Sequence, residues 1–301
     1  MRDRLVFVFL LLAVACAAAQ PVATEQVTVT GTKSREVIAD FVQSFAASAR
    51  MTGKLARWMK PVCPRVIGLP PNFMKFIAER IKTTAIAVGA PVDDSARCSP
   101  NIQIVFSTEP QALLDDIRRK SPDLLGYFDN QSQIDQVAIV SRPIQAWYMT
   151  QTVDLRGNVQ VDSPHHGGGL EIYFSPKLPP LVIPHASAAA VTGSRLGDGL
   201  RSGFHHILIV ANPDALKAYE MGPLGDYIAL LALSQPEVQV SCRPLPSIAN
   251  LFSRDCPGTA DSLTANDLGY LKGLYRMSPD RVLRTQEDEV IYQMQQSLAG
   301  K

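Results

Sequence analysis

The residues best equipped for chemistry are few and scattered. Five histidines stand at His165, His166, His185, His205 and His206, and Asp226 interrupts the apolar stretch GPLGDYIALLALSQ at residues 222–235. Imidazoles and a carboxylate converging on one ion could hold zinc and activate a bound water. A set drawn from His165, His185, His205 and Asp226 is the one non-standard metal site the sequence offers, and it would serve a metal-dependent hydrolase. In FHHILIV, residues 204–210, neighbouring side chains of a strand point to opposite faces, so only one of His205 and His206 can join such a cluster. His165 and His166 precede three glycines, as a loop would. The competing reading leaves these histidines at the surface or hydrogen-bonded within a sheet.

Other chemistries find less support. No G-x-S-x-G elbow is present. GSRLGDGLRSG, at residues 193–203, has neither the lysine nor the strand–helix setting of a phosphate loop. Asp93-Asp94 and Asp115-Asp116 are adjacent in sequence, so their carboxylates diverge and read as solvated charge. Besides Cys16 there are four cysteines, Cys63, Cys98, Cys242 and Cys256. An even number in an exported chain reads as disulfides with three pairings open. Cys63–Cys98 with Cys242–Cys256 is favoured because each pair closes one proline-containing segment. A four-thiolate zinc site would lack any C-x-x-C step. A disulfide-bonded cysteine is no nucleophile.

Export is inferred from the start of the chain. Arg2 and Arg4 flank Asp3, the apolar run LVFVFLLLAVA follows, and Ala17-Ala18-Ala19 offers a cleavage site, so residues 1–19 read as a signal peptide. The run is too short to span a bilayer, which takes about 20 apolar residues. Cys16 as a lipidation site is the alternative, with Ala13 where a lipobox has Leu. Removing the leader takes the formal charge from +1 to zero. A neutral chain without a basic block has no electrostatic footprint for nucleic acid or anionic lipid. A periplasmic or secreted location is expected, with no integral membrane segment afterwards.

Hydrophobic residues make up 46% of the chain and charged residues 19%, enough for a sizeable core. Residues 20–33 are expected to form an extended arm and 34–301 a single domain. Periodicity predicts a helix over 34–56, with Val37, Phe41, Phe45 and Ala49 on one face. A stronger helix starts at Pro70-Pro71 and ends at Gly89, carrying Phe73, Phe76, Ile77, Arg80, Thr84 and Val88. Residues 101–106 read as a strand, and Pro110 opens another helix. The middle reads as strands at 136–140, 144–153, 159–161, 170–174 and 204–210, with LRGN at 155–158 as a hairpin turn. Helices return at 222–235, 268–277 and 280–298. This order predicts an α+β fold: a mixed sheet with flanking helices, stabilised by disulfides.

Residues 263–275, LTANDLGYLKGLY, resemble the closing helix of matrixin-type zincin metalloproteases, L-[ST]-x-x-D-x-x-x-[LI]-x-x-[LI]-Y. Physically, Thr264 can cap the helix while Asp267 reaches back to the cap amide. The order around it resembles the zincins too: a strand at 204–210, the metal helix at 222–235, a turn at 247–252 (SIANLF), then the closing helix. The zincin-like part covers about residues 200–277. CPRVIGLPP (63–71) and CSPNIQIVFSTEP (98–110) resemble a secreted family of Gram-negative bacteria that brings no known activity. A zincin needs two His at i and i+4 with Glu between them, because one helical turn brings both imidazoles to one ion. Here Asp226, Tyr227 and Leu230 fill those places, Leu233 and Pro236 those of the later Gly and third His, and Ala249 that of the turn Met. The resemblance therefore implies a zincin-like scaffold without the metal centre: no catalytic residue, no cofactor, and core packing for residues 222–235. Such a scaffold is expected to bind a peptide or an envelope protein in the groove beside its edge strand.

Overall fold

The run FHHILIVA is apolar without a break towards its end, and such a strand needs cover on both faces of its sheet. The computed structural model supplies that cover; it describes residues 34–95, 97–163, 170–172, 181–183, 198–237, 242–253, 255–256 and 258–299. The expected signal peptide and arm, Cys16, His165, His166 and His185 lie outside these residues. The chain runs through α1 (Arg35–Phe45), β1 (Ser48–Ala49), β2 (Lys54–Leu55), β3 (Pro64–Ile67), α2 (Pro71–Val88), β4 (Ile102–Phe106) and α3 (Pro110–Lys120). A 3-10 turn at Pro122–Leu125 leads to α4 (Gln131–Val137), β5 (Ile144–Val153), β6 (Val159–Val161), β7 (Leu170–Ile172), β8 (Leu181–Ile183) and β9 (Arg201–Ala211). After α5 (Met221–Leu233) come a 3-10 turn at Ile248–Asn250, α6 (Ala265–Arg276) and α7 (Leu283–Leu298).

Five strands form the main sheet in the order β3-β4-β9-β5-β6. β3, β4 and β9 are parallel, whereas β5 is antiparallel to β9 and β6 to β5. Alternate residues of β9 serve two cores. Ile207 and Ile209 pack with Ile102 and Ile104 under α1, α2, α5, α6 and α7. Leu208 and Val210 pack with Trp147 against Leu114 of α3, Ile134 of α4 and Phe128. The protein is thus α+β, with a mixed sheet between helices and two disulfides, Cys63–Cys98 and Cys242–Cys256. Disulfides persist in oxidising, extracytoplasmic surroundings, and among the described residues no helix is long and apolar enough to cross a membrane.

Three sequence expectations are corrected. The helix predicted over 34–56 stops at Phe45, and its buried face is Ile38, Phe41, Val42 and Phe45, with Val37 exposed. Beyond it, β1 and β2 form a hairpin because Gly53 takes φ +64° and the Lys54 amine is drawn inward to the Leu200 and Asp280 carbonyls and the Asp198 carboxylate. Residues 136–140 are not a strand. Asn130 caps α4 by accepting from the Gln133 amide, and Ile134 then packs on the far side of the sheet. On α2, Phe73 and Phe76 are exposed, and Ile77, Ile81, Thr84, Ala85 and Val88 form the buried stripe.

The joints around α6 form as the sequence expects. Thr264 Oγ1 accepts from the Asp267 amide at 3.1 Å, and the Asp267 carboxylate accepts from the Thr264 amide at 2.9 Å. Asp267 also accepts from Ser247 Oγ and the Ile248 amide, tying the 3-10 turn to the helix start. At the other end Arg57 Nη1 donates to the carbonyls of Leu274, Tyr275 and Met277, groups the last helical turn cannot satisfy itself.

Candidate ligand-binding groove

α5 is apolar all round, as a helix enclosed by protein must be, and every residue from Leu224 to Leu233 is buried. One side of it faces α2. There Asp226, with 0% of its side chain exposed, accepts a bidentate pair of bonds from Arg80 Nε and Nη2, the latter at 2.7 Å. The Leu263 amide donates to the same carboxylate at 3.0 Å. The bond to Asp226 raises the pKa of Arg80. The other side of α5 borders open space.

That space is a cavity of about 870 Å³ beside β5. Tyr148 of β5, Tyr227, Leu230 and Leu231 of α5, and Phe252 give it an apolar wall. The ring of Tyr227 meets Phe252 edge-on at 4.8 Å, and the Tyr148 hydroxyl donates to the Leu231 carbonyl at 3.1 Å. Burial raises the pKa of both tyrosines, so each stays a neutral phenol.

The β5 backbone contributes polar groups. The Asn212 amide donates to the Pro143 carbonyl, and in the β5–β9 register this directs the amides and carbonyls of Gln145, Trp147 and Met149 towards β9. Those of Ile144, Ala146 and Tyr148 therefore point to the outer edge. β6 pairs only with Gln151–Val153, and the Asp162 amide takes the Thr150 carbonyl. No described strand covers the edge from Ile144 to Tyr148.

Among the described residues, three polar side chains at and behind the α5 end of the groove are left short of partners. Arg243 is 7% exposed, lies 4.5 Å over the Phe45 ring and donates from Nη2 to the Glu237 carbonyl at 2.7 Å. Its Nη1 is buried without an acceptor, and burial lowers its pKa to about 10. Gln235 Oε1 is buried without a donor. Asn250, whose Oδ1 accepts from the Arg243 amide, has Nδ2 unpaired as well.

Of the candidate metal ligands the structure describes Asp226 and His205, and each has a partner other than a metal. Asp226 is committed to Arg80, while His205 Nδ1 lies 3.1 Å from Gln151 Oε1 on the sheet. His165 and His185 lie outside the described residues, among which no group of three or more His, Cys, Asp or Glu converges. The alternation expected at His205-His206 is broken by a β-bulge: Met149 pairs with His206 and Thr150 with Phe204, leaving His205 as the extra residue.

Both histidines are pushed down to about 4, chiefly by burial, with Lys60 adding to His205 and His205 to His206. The unfolded chain titrates near 6.5, so between about 6.5 and about 4 it binds more protons than the fold. Stability therefore falls as pH drops through that window, by at most about 1.4 kcal/mol per pH unit for each histidine. Asp162 and Asp267, raised by burial, act in the opposite sense. Replacing His206 with Asn is expected to make the fall in urea midpoint shallower across the window. An unchanged slope would assign the acid sensitivity to other groups.

Fold and groove together define an α+β protein with an open strand edge beside a buried helix. Comparison with family models, curated proteins and solved structures finds no match. Sequence reasoning missed Arg243 and Gln235, and it placed Arg80 on α2 without the part it plays for Asp226. Arg243 left no signal, because its burial depends on how the segment after α5 folds back onto Phe45.

Proposed function

We propose that this protein is a non-catalytic binder, with a zincin-like scaffold that holds an extended segment of another protein along β5, in the periplasm or outside the cell. The observation that carries the reading is the pair of outward backbone positions at Ile144 and Ala146, set beside an apolar wall, with the Tyr148 carbonyl next to them lying against Gly126. An added strand supplies partners for such a pair, and the wall takes its side chains. Of the positions that fill the zincin places, Tyr227, Leu230, Pro236 and Ala249 (for Glu, second His, third His and turn Met) line this groove, whereas Asp226, at the place of the first His, turns to Arg80 on α2. None of the four lining residues can ligate zinc through an imidazole or carboxylate.

Panning a phage-displayed library of random linear peptides against the purified protein tests the reading, with recovered peptides measured by fluorescence anisotropy. Ala146→Pro is the informative variant. Its amide does not serve β9, so the sheet survives, while the ring removes an outward donor and obstructs an added strand. Affinity is expected to fall by about tenfold or more, while circular dichroism and melting stay near the parent. Recovery of no peptide above display background, or an Ala146→Pro protein that binds like the parent, would reject the proposal.

A further inference from the structure

We infer that the occupant of this groove carries an acidic side chain, Asp or Glu, that is set against Arg243. The inference rests on the strand-addition reading above and specifies its ligand. A guanidinium withdrawn from water needs acceptors for its donors and a counter-charge nearby. Arg243 has neither in full. Its ring contact with Phe45 fixes the plane of the fork, Nη2 is spent on the Glu237 carbonyl, and Nη1 has no acceptor. No described carboxylate forms an ion pair with it.

Charge across the groove agrees. Arg50, Arg142 and Arg243 line it against one acid, Glu237. Arg50 is engaged outward with Asp129 and Gln133, Arg142 has a partner of its own, and the Glu237 carboxylate acts on Arg243 through space. Arg243 is left with the unmet demand. A carboxylate reaching Nη1 completes the fork. Gln235 Oε1 asks for the opposite partner, and a backbone amide beside the acidic residue supplies one. A strand passing the β5 edge delivers both: its amides alternate with side chains that reach the apolar wall and the arginine.

The probe is the set of linear peptides recovered from the random library, resynthesised with amidated C-termini and with each Asp or Glu changed to Asn or Gln. Neutralising one acidic position is expected to weaken binding about tenfold or more, as a charge-assisted bond should. In Arg243→Gln the difference between acidic and neutral peptides should collapse to about twofold or less. Arg243→Lys, which keeps the charge and loses the fork, should fall between and covers the case in which Arg243→Gln does not fold. Peptides that bind equally well in acidic and neutral form would overturn this inference and leave the groove reading standing. So would an acid preference that persists in the Arg243 variants, or one that vanishes on C-terminal amidation. A library that yields no binder removes the groove reading itself.

Discussion

Arg80→Met is expected to destabilise the fold by about 3–5 kcal/mol, the range for stripping the partner from a buried charge. The size follows from an asymmetry within the pair. The Asp226 side chain is 0% exposed and that of Arg80 41% exposed, so removing the arginine strands a carboxylate with only the Leu263 amide for company. Asp226→Asn strands no charge and should cost less. The double variant Arg80→Met with Asp226→Leu should regain most of the loss, since a hydrophobic pair of similar volume is often no worse than an enclosed ion pair. Urea unfolding of these proteins, together with Asp226→Leu alone to close the cycle, measures each term and their coupling. A near-neutral Arg80→Met would mean that Asp226 has another cation to lean on, and a metal role for it would return to consideration.

Reduction of the two disulfides should cost still more. The sequence separations are 35 and 14 residues, and restoring that freedom to the unfolded chain is worth about 4 and about 3 kcal/mol in the chain-entropy model. Together they rival the whole stability of an ordinary domain, about 5–15 kcal/mol. Reduced protein is therefore expected to unfold at far lower urea concentration than oxidised protein. Cys63→Ala with Cys98→Ala should lose more than the corresponding change at Cys242 and Cys256. The reverse order would mean that the smaller loop clamps something beyond its own length, and Arg243, next to Cys242, is the natural candidate.

The α+β class, the two disulfides and the helix, strand, helix order from residue 71 to 120 were legible because each rests on a local signal, whereas the short strand at residues 64–67 was not read. Pro71 and Gly89 bound α2, and the Thr264–Asp267 pair announces the start of α6. The hairpin after α1 was not legible. Its cause is Lys54, whose amine reaches residues more than a hundred positions away, and no window of sequence contains that interaction. Residues 136–140 read as a strand because Val137, Ile139 and Val140 suit one; instead α4 ends at Val137, whose carbonyl accepts from the Trp147 indole across the interface. The groove was legible only in outline. That residues 222–235 wall off a core could be read from their composition. That Arg243 would be enclosed there, one donor short, could not.

The pairing of α1 with α7 has a bearing on how the chain reaches its final state. α1 packs on α7, and Arg35 bonds to Asp288 across 253 residues of sequence. Ile38, Phe41 and Phe45 share a core with Val290, Ile291 and Met294. While the C-terminal segment is still being synthesised, those aromatic and aliphatic groups have no lasting cover, and contacts so distant in sequence form slowly. Maturation should accordingly be an end-stage event, with a window beforehand in which a holding chaperone can grip the early segments.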